Sequence, residues 1–207
     1  MIIHPEALRT NLARVNTGER KICPPLPGLQ PDKPEPAAVL IPLVRDQGEW
    51  KLLFIKRTRQ AEDRHSGQIA FPGGRADQTD STLLDTALRE TSEEIGTNPD
   101  DIEILGQSRS ITTVTNYRIS PFVGLLPWPY PLKLSQKEVQ KTFLIPLAWL
   151  NDPGHRQLKS WQSASHPGLD LAVIFFEEFE GEMVWGATAQ IVVDFLDIVQ
   201  PAPSNNN

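Results

Sequence analysis

The stretch FPGGRADQTDSTLLDTALRETSEEIG, residues 71–96, places a two-glycine turn directly before a segment with helical spacing. Its least polar positions recur every three or four residues, as on one stripe of a helix: Leu84, Leu88, Thr91 and Ile95, with Ala87 at the edge. Asp80 or Ser81 can cap the start of this helix, and Gly96 can end it in a left-handed conformation. The stretch therefore predicts a loop followed by an amphipathic helix.

Three carboxylates lie beside or opposite that apolar stripe. At about 100° per residue, Glu90, Glu93 and Glu94 point away from it, and Glu90 and Glu94 are neighbours one turn apart. Like charges at this spacing destabilise a helix, whereas a hard divalent cation such as Mg²⁺ or Mn²⁺ would bind them. The alternative interpretation is a solvated acidic face.

Two neighbouring features favour a binding site over a solvated face. Arg89 can pair with Glu93 at i, i+4 and fix the position of that carboxylate. Gly73 and Gly74 let the backbone come close to a ligand, and the Gly73 carbonyl can add an oxygen to a metal shell. A glycine loop before an acidic helix suits phosphate chemistry when a metal is present.

Composition limits the classes of protein that fit. The chain has 207 residues, 39% hydrophobic and 22% charged, with a net charge of −6 and no run rich in Lys or Arg. These values argue against binding to nucleic acid through its phosphates. Cys23 is the only cysteine, which fits a reducing compartment, and no apolar run reaches the length of a membrane span. We therefore expect a cytoplasmic protein that does not bind membranes.

The order of patterns predicts an α/β or α+β layered domain. Residues 1–36 hold a short helix at 5–15 and a connector with six prolines between Cys23 and Pro36, too many for a helix or a paired strand. Residues 37–200 read as the main domain, and 201–207 as a disordered tail. Strands are predicted from the segments AAVLIPLV, WKLLFIKR, IEILGQSRSITTVT, RISPFVGLL, EVQKTFLIPL, DLAVIFFEE and EMVW, and a last helix from GATAQIVVDFLDIV.

The helix and its loop resemble the signature of the Nudix hydrolases, a glycine followed by Glu and then Arg-Glu-aliphatic-any-Glu-Glu-any-Gly. The matching positions in the second half are Arg89, Glu90, Thr91, Glu93, Glu94 and Gly96. In the first half, Asp80 stands for the early acid, and eight residues instead of seven separate it from Arg89. This variant, with FPGG, two aspartates and TALRE, is similar to the coenzyme A pyrophosphatase branch.

The resemblance to that branch extends over residues 37–195. LLFIKRTRQAEDRHSGQIAFPGG is similar to an upstream signature of the branch, which Arg57, Gly67 and Gln68 match. Within its loop, Glu62 or Asp63 stands where the branch has an arginine. The segments NYRISPFVG, EVQKTFLIPLAWL and WGATAQI also resemble parts of the branch.

The resemblance implies a Nudix fold, an α/β/α sandwich around a mixed sheet, and hydrolysis of a nucleoside diphosphate linked to another moiety. In the named branch, coenzyme A or acyl-CoA is split into 3′,5′-ADP and (acyl-)4′-phosphopantetheine. It further implies Glu90 and Glu94 as ligands of Mg²⁺ or Mn²⁺, with Glu93 as a third ligand or a support and the Gly73 carbonyl as one more oxygen. Arg89 would orient a carboxylate.

The general base is left open by the sequence. Family members use a helix glutamate or one on a distant loop, and Glu138 matches the place of the latter; an exposed loop acid is the equally weighted alternative. Asp77 and Asp80 are interpreted as turn and cap residues. The candidate substrate-binding residues are Arg57, Arg64, His65, Gln68, Gly74 and Tyr117. The arginines and histidine would meet phosphates, and Tyr117 would stack on adenine or serve only the fold.

Two further hypotheses remain beside the leading one. A Nudix hydrolase could act on ADP-ribose, a dinucleotide or a nucleoside triphosphate, or the chain could be a non-catalytic module that binds a nucleotide. In each case we expect the partner to be a small nucleotide, which resembles coenzyme A in the leading hypothesis. We expect no binding to nucleic acid or to a membrane. The oligomeric state is open, with a homodimer as one option.

Overall fold

The computed structural model describes residues 1–15, 21–23, 33–58, 67–162 and 170–199, with only the backbone for residues 21–23 and 162. The helices are α1 (Pro5–Ala13), α2 (Leu83–Ile95), α3 (Leu147–Asn151) and α4 (Gly186–Val199). The first strands are β1 (Lys21–Cys23), β2 (Glu35–Asp46), β3 (Glu49–Arg57), β4 (Ile69–Ala70), β5 (Gly73–Arg75) and β6 (Glu103–Gln107). The later ones are β7 (Ile111–Thr113), β8 (Tyr117–Leu125), β9 (Val139–Pro146), β10 (Arg156–Gln162), β11 (Asp170–Phe179) and β12 (Glu182–Trp185).

A mixed sheet forms the centre of the domain, in the order β1-β7-β8-β2-β3-β4, with β5 on β2, β6 on β8 and β9 on β3. Strand β2 runs parallel to β8 and antiparallel to β3. A two-residue turn joins β2 to β3, and both of its residues, Gln47 and Gly48, have positive φ (50° and 85°). Such turns match the twist of paired strands, so the predicted hairpin is confirmed.

The sheet forks at β2, and this fork places the glycine loop. The first half of β2 pairs with β5, with Val39 opposite Gly73, whereas its second half pairs with β3, with Leu43 opposite Leu52. Strand β3 therefore diverges from β2, and residues 71–74 lie between them. The loop before α2 is thus built into the sheet instead of crossing its surface.

Helices cover both faces of the sheet, and each face has its own core. On one face α2 packs through Ala87 and Ile95 against Leu40, Leu53 and Phe122. On the other, α1 and α4 pack on a second set that includes Leu8, Leu12, Ile41, Phe54, Val192 and Phe195. Alternate residues of a strand point to opposite faces, so β2 and β3 supply both cores. The expected layers of helix, mixed sheet and helix are confirmed.

A small antiparallel sheet, β10-β11-β12, lies beside the main one. Glu182 at the start of β12 joins the two sheets, since it bonds Lys56 of β3 and Lys141 of β9, each at 2.8 Å. These charge-assisted hydrogen bonds hold the pKa of Glu182 below its usual range, although its burial acts to raise that pKa.

Several sequence predictions differ from the structure in detail. Residues 102–115 form two strands, β6 and β7, and β1, β4, β5 and β10 were not predicted. The proline-rich connector, residues 23–36, has strand at both of its ends. Its first residue, Cys23, ends β1, and its last residue, Pro36, lies within β2. The Pro36 carbonyl accepts from Ala76 N at 3.0 Å, a bond for which the missing proline N–H is not needed. The tail at 201–207 lies outside the described residues, and the domain boundary at residue 37 stays a prediction.

None of the helices in the described ranges is long and apolar enough to cross a membrane.

Candidate active site

Helix α2 begins one or two residues later than predicted. Thr82 is its N-cap: Asp85 N donates to Thr82 Oγ1 at 3.2 Å, and Thr82 N donates to Asp85 Oδ2 at 2.8 Å. This reciprocal pair satisfies two of the donors that a helix start leaves free. The predicted cap at Asp80 or Ser81 was wrong, whereas the predicted end at Gly96, with φ 73°, is confirmed.

Asp80 binds Arg89 instead of capping the helix. Its two oxygens accept from Arg89 Nε at 2.9 Å and Nη2 at 3.0 Å, a bidentate pair, and its side chain is only 6% exposed. Thr86 Oγ1 and Asp77 N also donate to Asp80 Oδ2, at 2.8 and 2.9 Å. The Arg89 guanidinium, together with these bonds, holds the pKa of the Asp80 carboxyl well below its usual range. The interpretation of Asp80 as a cap missed this contact, because nine positions separate the pair.

Arg89 orients Glu90 more closely than Glu93. Its Nη1 donates to Glu90 Oε1 at 2.8 Å but lies 3.5 Å from Glu93 Oε1, and its Nη2 donates to the Arg75 carbonyl at 3.2 Å. The predicted i, i+4 pair with Glu93 is therefore present but long. Glu93 is exposed, whereas Glu90 is half-buried. Asp80 thus holds the Arg89 guanidinium, which in turn fixes the carboxylate of Glu90.

Gly74 makes room for Glu90. A Cβ atom at position 74 would stand 2.4 Å from Cδ of Glu90, so no larger residue fits without displacing this carboxylate. Burial raises the pKa of Glu90, although the bond from Arg89 acts in the opposite direction. The second glycine of the loop thus brings backbone and carboxylate together.

Glu94 is buried between α2 and the glycine loop, not directed outward as predicted. Only 3% of the residue is exposed. Gly73 N donates to Glu94 Oε2 at 2.9 Å, and Arg57 Nη1 at the end of β3 lies 3.4 Å from Oε1. Burial raises the pKa of Glu94 to about 7, even though the Gly73 N–H and the Arg57 charge both act to lower it. This side of the helix thus faces the loop, where the backbone N–H of Gly73 binds the Glu94 carboxylate.

Glu138 lies near both of these carboxylates. It is exposed, in the turn before β9, and its negative charge adds to the raised pKa of Glu90 and of Glu94, after burial as the main cause. Two separate segments, α2 and this turn, therefore supply acids to one region. Helical periodicity cannot indicate such a contact, since 44 positions separate Glu94 from Glu138.

The candidate substrate-binding residues are only partly brought together. Arg57 reaches Glu94, and its own backbone N donates to the Gln68 carbonyl at 3.0 Å, so Gln68 lies beside the end of β3. Arg64 and His65 lie outside the described residues. Tyr117 is placed elsewhere: the guanidinium of Arg75 lies 5.1 Å from its ring centroid.

Strand register explains the position of Tyr117. Ala38 lies opposite both Gly74 and Ser120, so these three residues share the face that carries α2. Tyr117 is three residues before Ser120 in strand β8, and alternation along a strand directs it to the opposite face. The structure therefore does not bring Tyr117 together with the α2 carboxylates.

The donor set near α2 suits a hard divalent cation. Glu90, Glu93 and Glu94 offer carboxylate oxygens, and two of these groups carry the cost of burial that a bound cation would offset. In the described parts of the chain, no three His, Cys, Asp or Glu side chains are gathered as a ready ligand set. Arg89 holds Glu90, while Gly73 N–H and Arg57 hold Glu94. These oxygen ligands fit a divalent cation. In this structure the carboxylates of Glu90 and Glu94 accept hydrogen bonds from the protein instead.

The fold is thus a mixed sheet between helical layers, with a carboxylate-bearing helix beside a glycine loop. The profile of the NUDIX domain matches residues 34–165, more than half of the chain. The chain belongs to the Nudix family, whose hydrolases generally use divalent metal ions.

Relatives of known sequence agree with this assignment. The chain is 36% identical over 157 residues to a protein of Escherichia coli strain SMS-3-5 named "Uncharacterized Nudix hydrolase NudL", covering 75% of this chain and 78% of that protein. A protein of the same name from Shigella boydii gives the same identity and coverage. Among solved structures, a MutT/nudix family protein from Enterococcus faecalis matches 80% of this chain and 62% of its own, with a TM-score of 0.50 and 18% identity. This last likeness concerns the fold alone.

Proposed function

We propose that this Nudix hydrolase cleaves the diphosphate bond of coenzyme A or acyl-CoA, giving 3′,5′-ADP and (acyl-)4′-phosphopantetheine. Family membership supports the coarser statement, hydrolysis of a nucleoside diphosphate derivative. The observation that supports coenzyme A as the substrate is the ion pair between Arg57 Nη1 and Glu94 Oε1, at 3.4 Å. Arg57 belongs to the upstream segment that resembles the coenzyme A branch, so this segment is coupled to the acidic helix.

The metal ligands in this proposal are Glu90, Glu94 and Glu93, with the Gly73 carbonyl as a further oxygen. When bound there, a divalent cation such as Mg²⁺ or Mn²⁺ would neutralise charge on the diphosphate and lower the pKa of water. Asp80 and Arg89 keep the Glu90 carboxylate oriented, and the missing side chain of Gly74 lets this carboxylate lie against the loop.

Hydrolysis needs a base that accepts a proton when water attacks phosphorus. A carboxylate oxygen of Glu138 takes this role in the proposal, because it lies near Glu90 and Glu94 and is exposed to solvent. The oxygen of water bonds to one phosphorus, the bond from this phosphorus to the bridging oxygen breaks, and the bridging oxygen leaves with the other phosphate.

Cationic groups near the end of β3 would bind the other phosphates of the substrate. Arg57 is half-buried and Gln68 lies beside it, while Arg64 and His65 follow in the same segment of sequence. Coenzyme A carries a 3′-phosphate in addition to its diphosphate, so a second group of cations distinguishes it from substrates without one.

A panel of substrates tests the proposal. The protein is incubated with Mg²⁺ or Mn²⁺ and either coenzyme A, acetyl-CoA, ADP-ribose, a dinucleotide or a nucleoside triphosphate, and products are identified by mass. We expect coenzyme A to be hydrolysed faster than the substrates that are not coenzyme A derivatives, with 3′,5′-ADP as a product. Much faster turnover of ADP-ribose than of coenzyme A would contradict the branch assignment.

Glu94→Gln serves as the matched inactive variant in that panel. It keeps the size of the side chain and the bond from Gly73 N but removes the charge. We expect a loss of turnover of about 10²-fold or more for every substrate. Turnover equal to that of the unmodified protein would contradict the role of Glu94 as a metal ligand.

A further inference from the structure

We propose that Thr58 is a positioning residue that holds the turn of residues 135–138 in place and thereby fixes Glu138 beside α2. The inference rests on the proposed function, in which Glu138 is the base. It concerns how the fold places an acid that belongs neither to α2 nor to the glycine loop.

Thr58 follows directly after the last residue of β3 and makes two hydrogen bonds to the turn. Its hydroxyl donates to the Lys137 carbonyl at 2.6 Å, and its backbone N donates to the Glu138 carbonyl at 2.9 Å. Two consecutive peptide units of the turn are therefore tied to one residue. The backbone bond is independent of side-chain identity, whereas the hydroxyl bond is specific to Thr or Ser.

The other end of the same turn is tied to α2. Ser135 N donates to the backbone carbonyl of Glu94 at 2.9 Å. Within the turn, Glu138 N and Val139 N both donate to the Ser135 carbonyl, at 2.9 and 2.8 Å. The turn thus bridges the helix that carries Glu94 and the strand that carries Arg57, with Glu138 between the two anchors.

The Glu138 carboxylate depends on this backbone for its position. In the described residues it takes part in no salt bridge and accepts no side-chain hydrogen bond. Its charge nevertheless acts on Glu90 and on Glu94. An exposed side chain without a partner of its own samples several rotamers, and the position of its Cα sets the region that the carboxylate can reach, so loosening the turn displaces that region. A small displacement of a catalytic group costs rate more than binding.

The first test compares Thr58→Val with Thr58→Ser. Valine keeps the branched shape and loses the hydroxyl, whereas serine keeps the hydroxyl. Thr10→Val is the matched control, because Thr10 Oγ1 also donates to a backbone carbonyl, that of Glu6 at 2.9 Å, far along the chain in α1. In Thr58→Val we expect kcat to fall about tenfold with little change in KM. Thr58→Ser should restore kcat, and Thr10→Val should match the unmodified protein.

A double-mutant cycle tests whether Thr58 acts through Glu138. If it does, Thr58→Val lowers kcat in the unmodified protein but has little further effect in a Glu138→Gln background. Losses that multiply would overturn the inference, as would an unchanged kcat in Thr58→Val or in Glu138→Gln.

Hydrogen exchange gives a readout that does not depend on substrate. The peptide spanning residues 133–140 should exchange faster in Thr58→Val than in Thr58→Ser or Thr10→Val. Equal exchange in all three overturns the positioning role. Failure of the proposed function is seen separately, as an unmodified protein that hydrolyses none of the diphosphates in the presence of Mg²⁺ or Mn²⁺.

Discussion

Replacing Glu94 by Gln is expected to make the metal-free protein more stable at neutral pH while it lowers activity. Burial raises the pKa of Glu94 from 4.5 to about 7, so the folded protein must ionise a carboxyl that its surroundings favour in the neutral form. A neutral amide at the same position avoids this cost. The free energy of unfolding should therefore rise in Glu94→Gln, the opposite of the usual effect of a buried substitution.

The sign of the pH dependence follows from the two pKa values. Between pH 4.5 and about 7 the folded state holds a proton on Glu94 that the unfolded chain has released, so the stability of the unmodified protein falls as pH rises through this window. The shift from 4.5 to about 7 corresponds to about 3 kcal/mol. This shift already includes the attraction of Arg57, so we expect Glu94→Gln to gain about 3 kcal/mol at pH 8.

Thermal unfolding in EDTA measures this difference. For a chain of this size about 3 kcal/mol corresponds to an increase in Tm of roughly 6–12 °C at pH 8, with a smaller increase at pH 5. Glu93→Gln is the matched control, since Glu93 is exposed and one position away, and it should leave the pH dependence of Tm unchanged. Added Mg²⁺ should raise the Tm of the unmodified protein more than that of Glu94→Gln.

Two outcomes would contradict the role of burial. If Tm of Glu94→Gln were lower than that of the unmodified protein at pH 8, or if their difference did not change between pH 5 and pH 8, burial would not be what disfavours the Glu94 charge.

Three further substitutions separate effects on side-chain orientation from effects on folding. Asp80→Asn leaves Arg89 with a neutral partner, and we expect kcat to fall about 10-fold to 100-fold, as for other groups that orient a metal ligand; unchanged steady-state kinetics would contradict this role. Gly74→Ala places a Cβ 2.4 Å from Cδ of Glu90, so activity should fall about tenfold while circular dichroism stays unchanged, because only the end of a side chain must move. Gly73→Ala meets backbone at 2.3 Å with φ 150°, so its Tm should fall by several degrees, and an unaltered Tm would show that the loop relaxes.

Local patterns in the sequence were enough for most of the fold. Alternation and turn residues predicted β2, β3 and the turn at Gln47–Gly48, and apolar spacing predicted α2 and its end at Gly96. The predicted start of α2 was one or two residues too early, because Asp80, Ser81 and Thr82 are all acceptable caps. Only Asp85, which completes the reciprocal pair, selects Thr82.

Strands without an apolar pattern were not predictable from local sequence. Strand β5 contains two glycines, and it exists because the fork between β2 and β3 offers it a partner in β2. Strand β10 is largely exposed on both faces, so its sequence carries little alternation, and its pairing with β11 defines it. In both cases the hydrogen-bonding partner determines the structure, not side-chain burial.

The carboxylates of α2, the glycine loop before them and the resemblance to the family are evident from the sequence, because these features depend on residue type and spacing within one segment. Three contacts are evident only in the folded chain: Asp80 binds Arg89, Glu94 is buried against Gly73 and Arg57, and Glu138 approaches from a distant turn. These contacts depend on how strands from separate parts of the chain pair in the sheet. Burial, and with it the pKa of Glu94, follows from that pairing and from no local pattern.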